Sequence, residues 1–339
     1  TNVIYATFTF IFFALEGSIM AQGLELGLGI PVWLGYAAST LVIFPLVIYG
    51  MKVLSTLQVW TTPLWLILMV APFVYLVVSH PESVGQFFAY QGQNSVAGFD
   101  LGSTLLAAGV CLSLIAQIAE QNDYLRFMPP MTPENKRSWW TWMFLAGPGW
   151  VIFGAIKQIV GLFLAVYLIV NVANSAGIAN QPVHQFLEIY NNFLPGWLAM
   201  TLAVVLVVIS QIKINVTNAY SGSLAWTNVF TRVTKHYPGR IVFLGVNLLI
   251  ALILMEANMF DFLNTILGFY ANCGMAWVVV VASDIVFNKY LLQLSPKAPE
   301  FRRGMLYDFN PVGFGSMLIA AGLSVIAFFG GLGEAVRPY

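Results

Sequence analysis

The sequence predicts an all-α membrane protein, and three observations carry the prediction. The chain is 59% hydrophobic and only 8% charged, whereas soluble domains are about a quarter charged. Mostly apolar runs of about 20 residues, the length that crosses a bilayer as a helix, recur along it. Its basic residues fall at alternate gaps between those runs, as the positive-inside rule requires of a chain threading a membrane repeatedly.

Taken in order, the expected spans are nine: residues 3–23, 29–50, 56–79, 101–122, 143–171, 195–228, 240–257, 262–288 and 312–332. Turn formers separate them in GLGIP (27–31), SHPES (79–83), MPPMTPE (128–134), YPGR (237–240) and SPKAP (295–299). The third and fifth connections are long and hold no Lys or Arg. At the alternate connections stand Lys52, Arg126, Lys136, Arg137, Arg232, Lys235, Arg240, Lys289, Lys297, Arg302 and Arg303, against Arg337 alone on the other side. Residue 1 is thus expected in the cytoplasm and Tyr339 outside, in a single transmembrane domain (1–339) of a cytoplasmic (inner) membrane. Residues 1–15 lack the basic start of a cleavable signal peptide. Trp139, Trp140, Trp142, Tyr237, Tyr290 and Tyr307 sit where interfacial anchors belong. Gly23 and Gly27 are spaced for close helix contact.

Several functions are set aside by composition. A net charge of zero gives no attraction for nucleic acid. Cys111 and Cys273 lie in apolar helices without metal-ligand spacing and are read as packing residues. No phosphate-binding loop, HExxH or CxxC occurs, so no metal or cofactor is expected. His80, His184 and His236 fall at loops or span ends and offer no base for a nucleophile. Nothing in the residues calls for an enzyme.

Ionisable groups inside a span are costly and generally face the bundle interior or a water-filled cavity. Four qualify: Glu16 in ALEGSIMAQG, Glu120 in AQIAEQND, Lys157 in GAIKQIVG and Lys213 in SQIKINVTNAYSGS. For Glu120 the structural alternative is snorkelling to the cytoplasmic edge beside Asp123 and Arg126. For Lys157 it is a structural ion pair. Glu16 and Lys213 lie deeper, and Gln211, Asn215 and Asn218 share one helical face. A polar face on a spanning helix implies a solute, an ion or another helix beyond it. Glu16 and Glu120 are the candidate partners of Lys213.

These motifs resemble the nucleobase:cation symporter-1 group, the permeases for cytosine, purines, uracil, allantoin and related solutes. IAEQNDYLRFMPP is similar to the family's Asp-aromatic-x-Arg-aromatic signature, and INVTNAYSGSLAWTNVF to its Asn-rich eighth helix. YGMKVLSTLQVWTTPLW and WVVVVASDIVFNKYLL resemble its fifth and tenth helices. The resemblance implies a five-plus-five inverted-repeat bundle, with the nine spans as helices three to eleven of twelve. It implies substrate contacts at Phe12, Glu16, Gln117, Asn215 and Asn218, and a second stacking position near Leu114. It places the family's sodium-binding hydroxyl pair at Lys213 and Ile214, and an amide at Glu120. An aliphatic residue for one stacking face and an acid for one amide point away from a flat base. An ammonium cannot coordinate sodium, so Lys213 is expected to stand in for the coupling cation, with Glu120 and Lys157 as further charge-substituting groups.

The resulting expectation is secondary transport of a small polar nitrogenous solute, coupled to H+ or Na+ or to neither. The alternative is a ligand-sensing transporter-like module joined to kinase domains outside these residues. Buried charge argues against a third class, a purely structural membrane subunit.

Overall fold

A computed structural model describes residues 2–92, 98–173, 175–258, 262–298, 302 and 310–333. Arg303, Tyr307, Arg337 and Tyr339 lie outside the described residues, as does part of the third connection.

The described residues form an all-α membrane protein. Its helices are α1 (Asn2–Leu28), α2 (Val32–Ile48), α3 (Met51–Ser79), α4 (Glu82–Ala89), α5 (Leu101–Ser113), α6 (Ile118–Leu125) and α7 (Lys136–Ala146). There follow α8 (Gly149–Asn171), α9 (Pro182–Asn191), α10 (Gly196–Thr234), α11 (Arg240–Glu256), α12 (Leu263–Ser283) and α13 (Pro311–Phe328). In lipid each backbone N–H must be satisfied within its own segment, and an apolar helix does this without a partner strand.

All nine expected spans are helical over most of their length. Among the described residues, seven helical stretches are long and apolar enough to cross a membrane, the third of them running through α5 and α6 as Leu101–Leu125. The other two, α2 and α11, have 17 residues each, about 25 Å of helix. The span count of nine therefore rests on two helices at the short end of the crossing range.

The two long connections hold helices that hydropathy did not signal. α4 lies in the third. α9 lies in the fifth, burying Val183, Phe186, Leu187 and Tyr190 against the bundle. The fifth span also begins later than expected: Gly147 and Pro148 separate α7, with its exposed Trp140 and Trp142, from α8.

α1 is the central element. Of the spanning helices it is the most buried, while α13 buries nothing in its apolar window. One core gathers Phe8, Phe13 and Leu15 of α1 with Val216 and Ala219 of α10 and Leu244, Leu248 and Met255 of α11. A second joins α3, α8, α9 and the start of α10 through Leu68, Phe163, Leu168, Tyr190 and Leu206. The approach of α1 to α10 is close. A Cβ at Gly23 would stand 3.2 Å from Val207, one at Gly27 would press on Val204, and one at Gly222 would overlap Thr9. α2 meets α1 the same way, a Cβ at Gly35 falling 2.8 Å from that of Ala21.

Two devices hold helix ends and breaks. Pro72 in α3 has no N–H for the Leu68 carbonyl one turn earlier, and the Tyr190 hydroxyl of α9 donates to that oxygen at 2.6 Å. At the end of α2, Arg240 donates to the carbonyls of Val47 at 3.2 Å and Ile48 at 3.1 Å, a favourable place for a cation. Cys111 departs from its expected packing role. It is exposed, and its thiol donates to Gln158 Oε1 of α8 at 3.3 Å.

Candidate solute and cation site

The fourth span does not run through as one α-helix. Leu114–Gln117 form a 3₁₀ turn between α5 and α6, midway along a 25-residue stretch. Tightened or broken helices at membrane depth are tolerated where protein or a cavity covers them, and they commonly mark binding sites. Gln117 ends this turn and is buried. Across from it a Cβ at Gly274 of α12 would lie 3.0 Å from Ile115, so α12 backs the break closely.

Opposite the break, α1 and α10 present the predicted polar row. Asn215 Nδ2 donates to the Phe13 carbonyl at 3.3 Å, and Asn218 Nδ2 donates to Asn215 Oδ1 at 3.3 Å. Gln211, one turn earlier on the same face, lies against the Glu16 carboxyl. Three amides at i, i+4 and i+7 thus look onto α1, as the helical spacing predicts. Asn218 Oδ1 and Gln211 Oε1 are buried without a protein partner among the described residues. Buried amide oxygens normally have a partner, so this row has unfilled acceptor capacity for a polar solute. Asn247 on α11 extends the row. Its Oδ1 accepts from Thr9 at 3.4 Å, and its Nδ2 has no partner among the described residues.

Phe12 is 5% exposed and already stacked: its ring centroid is 4.1 Å from that of Phe8, which in turn meets Tyr270 edge-on at 6.0 Å. Phe12 is therefore part of a three-ring cluster on α1 and α12. Leu114, the aliphatic counterpart, packs partly buried against the same core.

Lys213 turns the other way. Its Nζ donates to three oxygens of α3: Thr62 Oγ1 at 2.9 Å, Thr61 Oγ1 at 3.2 Å and the Gln58 carbonyl at 3.2 Å. Gln58 Nε2 returns a bond to the Lys213 carbonyl at 2.9 Å, and Trp65 Nε1 donates to Ser210 Oγ at 2.8 Å. The ammonium also stands 5.9 Å from the Trp65 ring centroid. An oxygen-only set of hydroxyls and a carbonyl is what a monovalent cation would take, and the side chain fills it. Neither Glu16 nor Glu120 forms an ion pair with Lys213, so the expected carboxylate partner is replaced by neutral dipoles.

The remaining charges are dispersed. Lys157 lies on an exposed face of α8, within electrostatic range of Glu16. Glu120 does not snorkel. It is 7% exposed and points inward toward Tyr5 of α1. Gln58, Thr61, Thr62 and Asn247 stand beside these groups and were not among the candidates read from sequence. Asn247 had a visible signal, a lone amide in LGVNLLIAL. The α3 group had none, because short polar residues near a span start read equally well as an interface. A cavity of about 890 Å³ between α5, α12 and α13 is mainly apolar and touches none of the candidates.

The described residues thus form an all-helical membrane bundle in which a broken span faces a row of buried amides. The chain matches the family model described as permease for cytosine/purines, uracil, thiamine, allantoin over residues 6–328, and it belongs to that family. No curated protein and no solved structure gives a significant match. Membership makes this a multi-pass membrane protein that moves nucleobase-like solutes across a membrane.

Proposed function

We propose that the chain carries a small polar nitrogenous solute bound between the broken fourth span and the α1–α10 amide row, and that it does so without sodium. The solute contacts are Phe12, Glu16, Gln117, Asn215 and Asn218, with Gln211 beside them. The unfilled oxygens of Asn218 and Gln211 accept N–H groups, which suits a heterocycle or ureide with several ring or amide N–H donors. The orientation, with residue 1 and the basic connections cytoplasmic, and the five-plus-five repeat belong to the same reading.

One observation carries the sodium-free part: the Lys213 ammonium donates to three α3 oxygens within 3.2 Å. A resident charge of this kind removes the need for a bound cation to hold α3 against α10. The test is uptake of labelled cytosine, uracil, adenine, thiamine and allantoin into proteoliposomes, with sodium exchanged for potassium. We expect uptake of at least one of them to be independent of sodium, and Lys213→Ala to lower it by roughly tenfold or more, about 1.4 kcal/mol. Sodium-dependent uptake that Lys213→Ala leaves unchanged would refute the proposal.

A further inference from the structure

A second polar cluster lies beyond the amide row, at the end of the bundle that the basic residues mark as cytoplasmic in our reading. Tyr5 comes from α1, Glu120 and Tyr124 from α6, and Thr217 and Ser221 from α10. Tyr5 faces Glu120 and Ser221, while Tyr124 faces Ser221 and Thr217. Glu120 Oε1, Tyr5 Oη, Tyr124 Oη and Ser221 Oγ are all buried, and none makes a well-formed hydrogen bond among the described residues. Three unsatisfied hydroxyls grouped with a carboxyl whose own Oε1 is unpaired are far from the usual condition of buried polar groups.

The charges around Glu120 do not neutralise it. Among the described residues it forms no ion pair. Asp123, on its own helix, adds a like charge and faces Ser221. Arg126, just past the end of α6, donates to Tyr220 Oη at 3.2 Å and lies 5.0 Å from the Phe127 ring centroid. On α7, Lys136 and Arg137 are exposed. From α10, Lys213 is committed to α3. From α11, Arg240 is committed to the end of α2 and lies 5.0 Å from the Tyr220 ring centroid. From α1 the other titratable groups are Glu16, against Gln211, and Glu25, in the last turn of the helix and far along it from Tyr5.

A buried carboxylate without a counter-charge costs several kcal/mol, while the neutral acid carries one donor and spare acceptors. Tyr5 stands where that donor and those acceptors can be used, and Ser221 of α10 stands in turn against Tyr5. We propose that Glu120 is a proton-binding site that joins α6 to α1 and α10. It is protonated while these helices are packed, and it gives its proton to water when their ends part. In that step the carboxyl O–H bond breaks, its electron pair stays on the Glu120 oxygen, and water accepts the proton. Nothing is oxidised or reduced. The site is separate from Lys213, and its test needs neither the solute nor the sodium result.

The full-length protein in nanodiscs is titrated by infrared difference spectroscopy for the carbonyl stretch of a protonated carboxyl group. The range runs from about pH 3 to about pH 9, which spans free and buried carboxyls. A second readout is thiol labelling of Ala225→Cys, a buried α10 position, in a Cys111→Ser, Cys273→Ser background. Its rate is divided by that of the same cysteine in Glu120→Gln, which cancels the pH dependence of the thiol. We expect the spectrum of the parent minus that of Glu120→Gln, in which the contributions of Glu16 and Asp123 cancel, to show one titrating band, and the same subtraction for Glu120→Asp to show one as well. We expect the labelling ratio to rise by up to about tenfold per pH unit as the proton is lost. The amide mimics the neutral acid, so Glu120→Gln should fold and stay closed. A Glu120→Gln protein that fails to fold, a difference between parent and Glu120→Gln with no titrating band, a flat labelling ratio, or removal of the difference band by sodium at fixed pH would each overturn the proposal.

Discussion

Tyr190→Phe tests how α3, the helix that supplies the oxygens around Lys213, is held. Pro72 interrupts the hydrogen-bond ladder of α3 and strands the Leu68 carbonyl, and Tyr190 supplies the missing donor from outside the span at 2.6 Å. Tyr190 is 1% exposed and Leu68 5% exposed, so water is a poor substitute. Removing the hydroxyl deletes one neutral hydrogen bond and leaves one buried acceptor unpaired, at about 1–3 kcal/mol. Interhelical bonds measured inside membranes average lower, about 0.6 with a maximum near 1.7 kcal/mol. The expected loss is therefore about 1–2 kcal/mol, the ring itself staying packed. The assay is equilibrium unfolding in mixed micelles, run as a double-mutant cycle with Pro72→Ala. Alanine restores an N–H at position 72, which can reach the Leu68 carbonyl. Tyr190→Phe should then cost less than half as much in that background. Equal cost in both backgrounds, or none in the parent, would refute the pairing of the proline gap with the tyrosine.

Gly222→Val places side-chain carbon where Thr9 and Asn247 now lie. It should prise α1 from α10, destabilise the fold by at least about 1–3 kcal/mol, and abolish uptake, whereas Gly154→Val, at a position open to its surroundings, should not. Outside the membrane, Asp100 caps α5, its Oδ2 accepting from Ser103 N at 2.6 Å. The Ser103 side chain and backbone together hold its carboxyl below the usual Asp range. A depressed value means the cap is fully present above the unfolded Asp value of about 3.9 and is lost as pH falls through the lower folded value. Hydrogen-exchange protection of the Ser103 amide should fall with acid in the parent and stay level in Asp100→Asn.

The all-α membrane class was legible because it depends on summed properties. Twenty apolar residues cross a bilayer wherever they pack, and lipid leaves the backbone little choice but the helix. Helix phase was legible for the same reason. Gln211, Asn215 and Asn218 had to share a face, and Gly23 and Gly27 had to offer a shallow one. The partners of those faces were not legible, because an intrahelical period says nothing about which neighbour stands opposite. Sequence made Glu16 and Glu120 equal candidates for Lys213. Packing gave Lys213 to Gln58, Thr61 and Thr62, placed Glu16 opposite Gln211, and turned Glu120 inward among tyrosines rather than out to the interface. The break at Leu114–Gln117 was equally hidden, since LIAQ has no Gly or Pro to signal it and its cost is met by contacts with α12 and α1. A linear chain records which groups must leave water, while only the tertiary structure decides which of them then meet. In this protein that decides whether a buried charge lies among neutral oxygens, beside an amide or within a ring of hydroxyls.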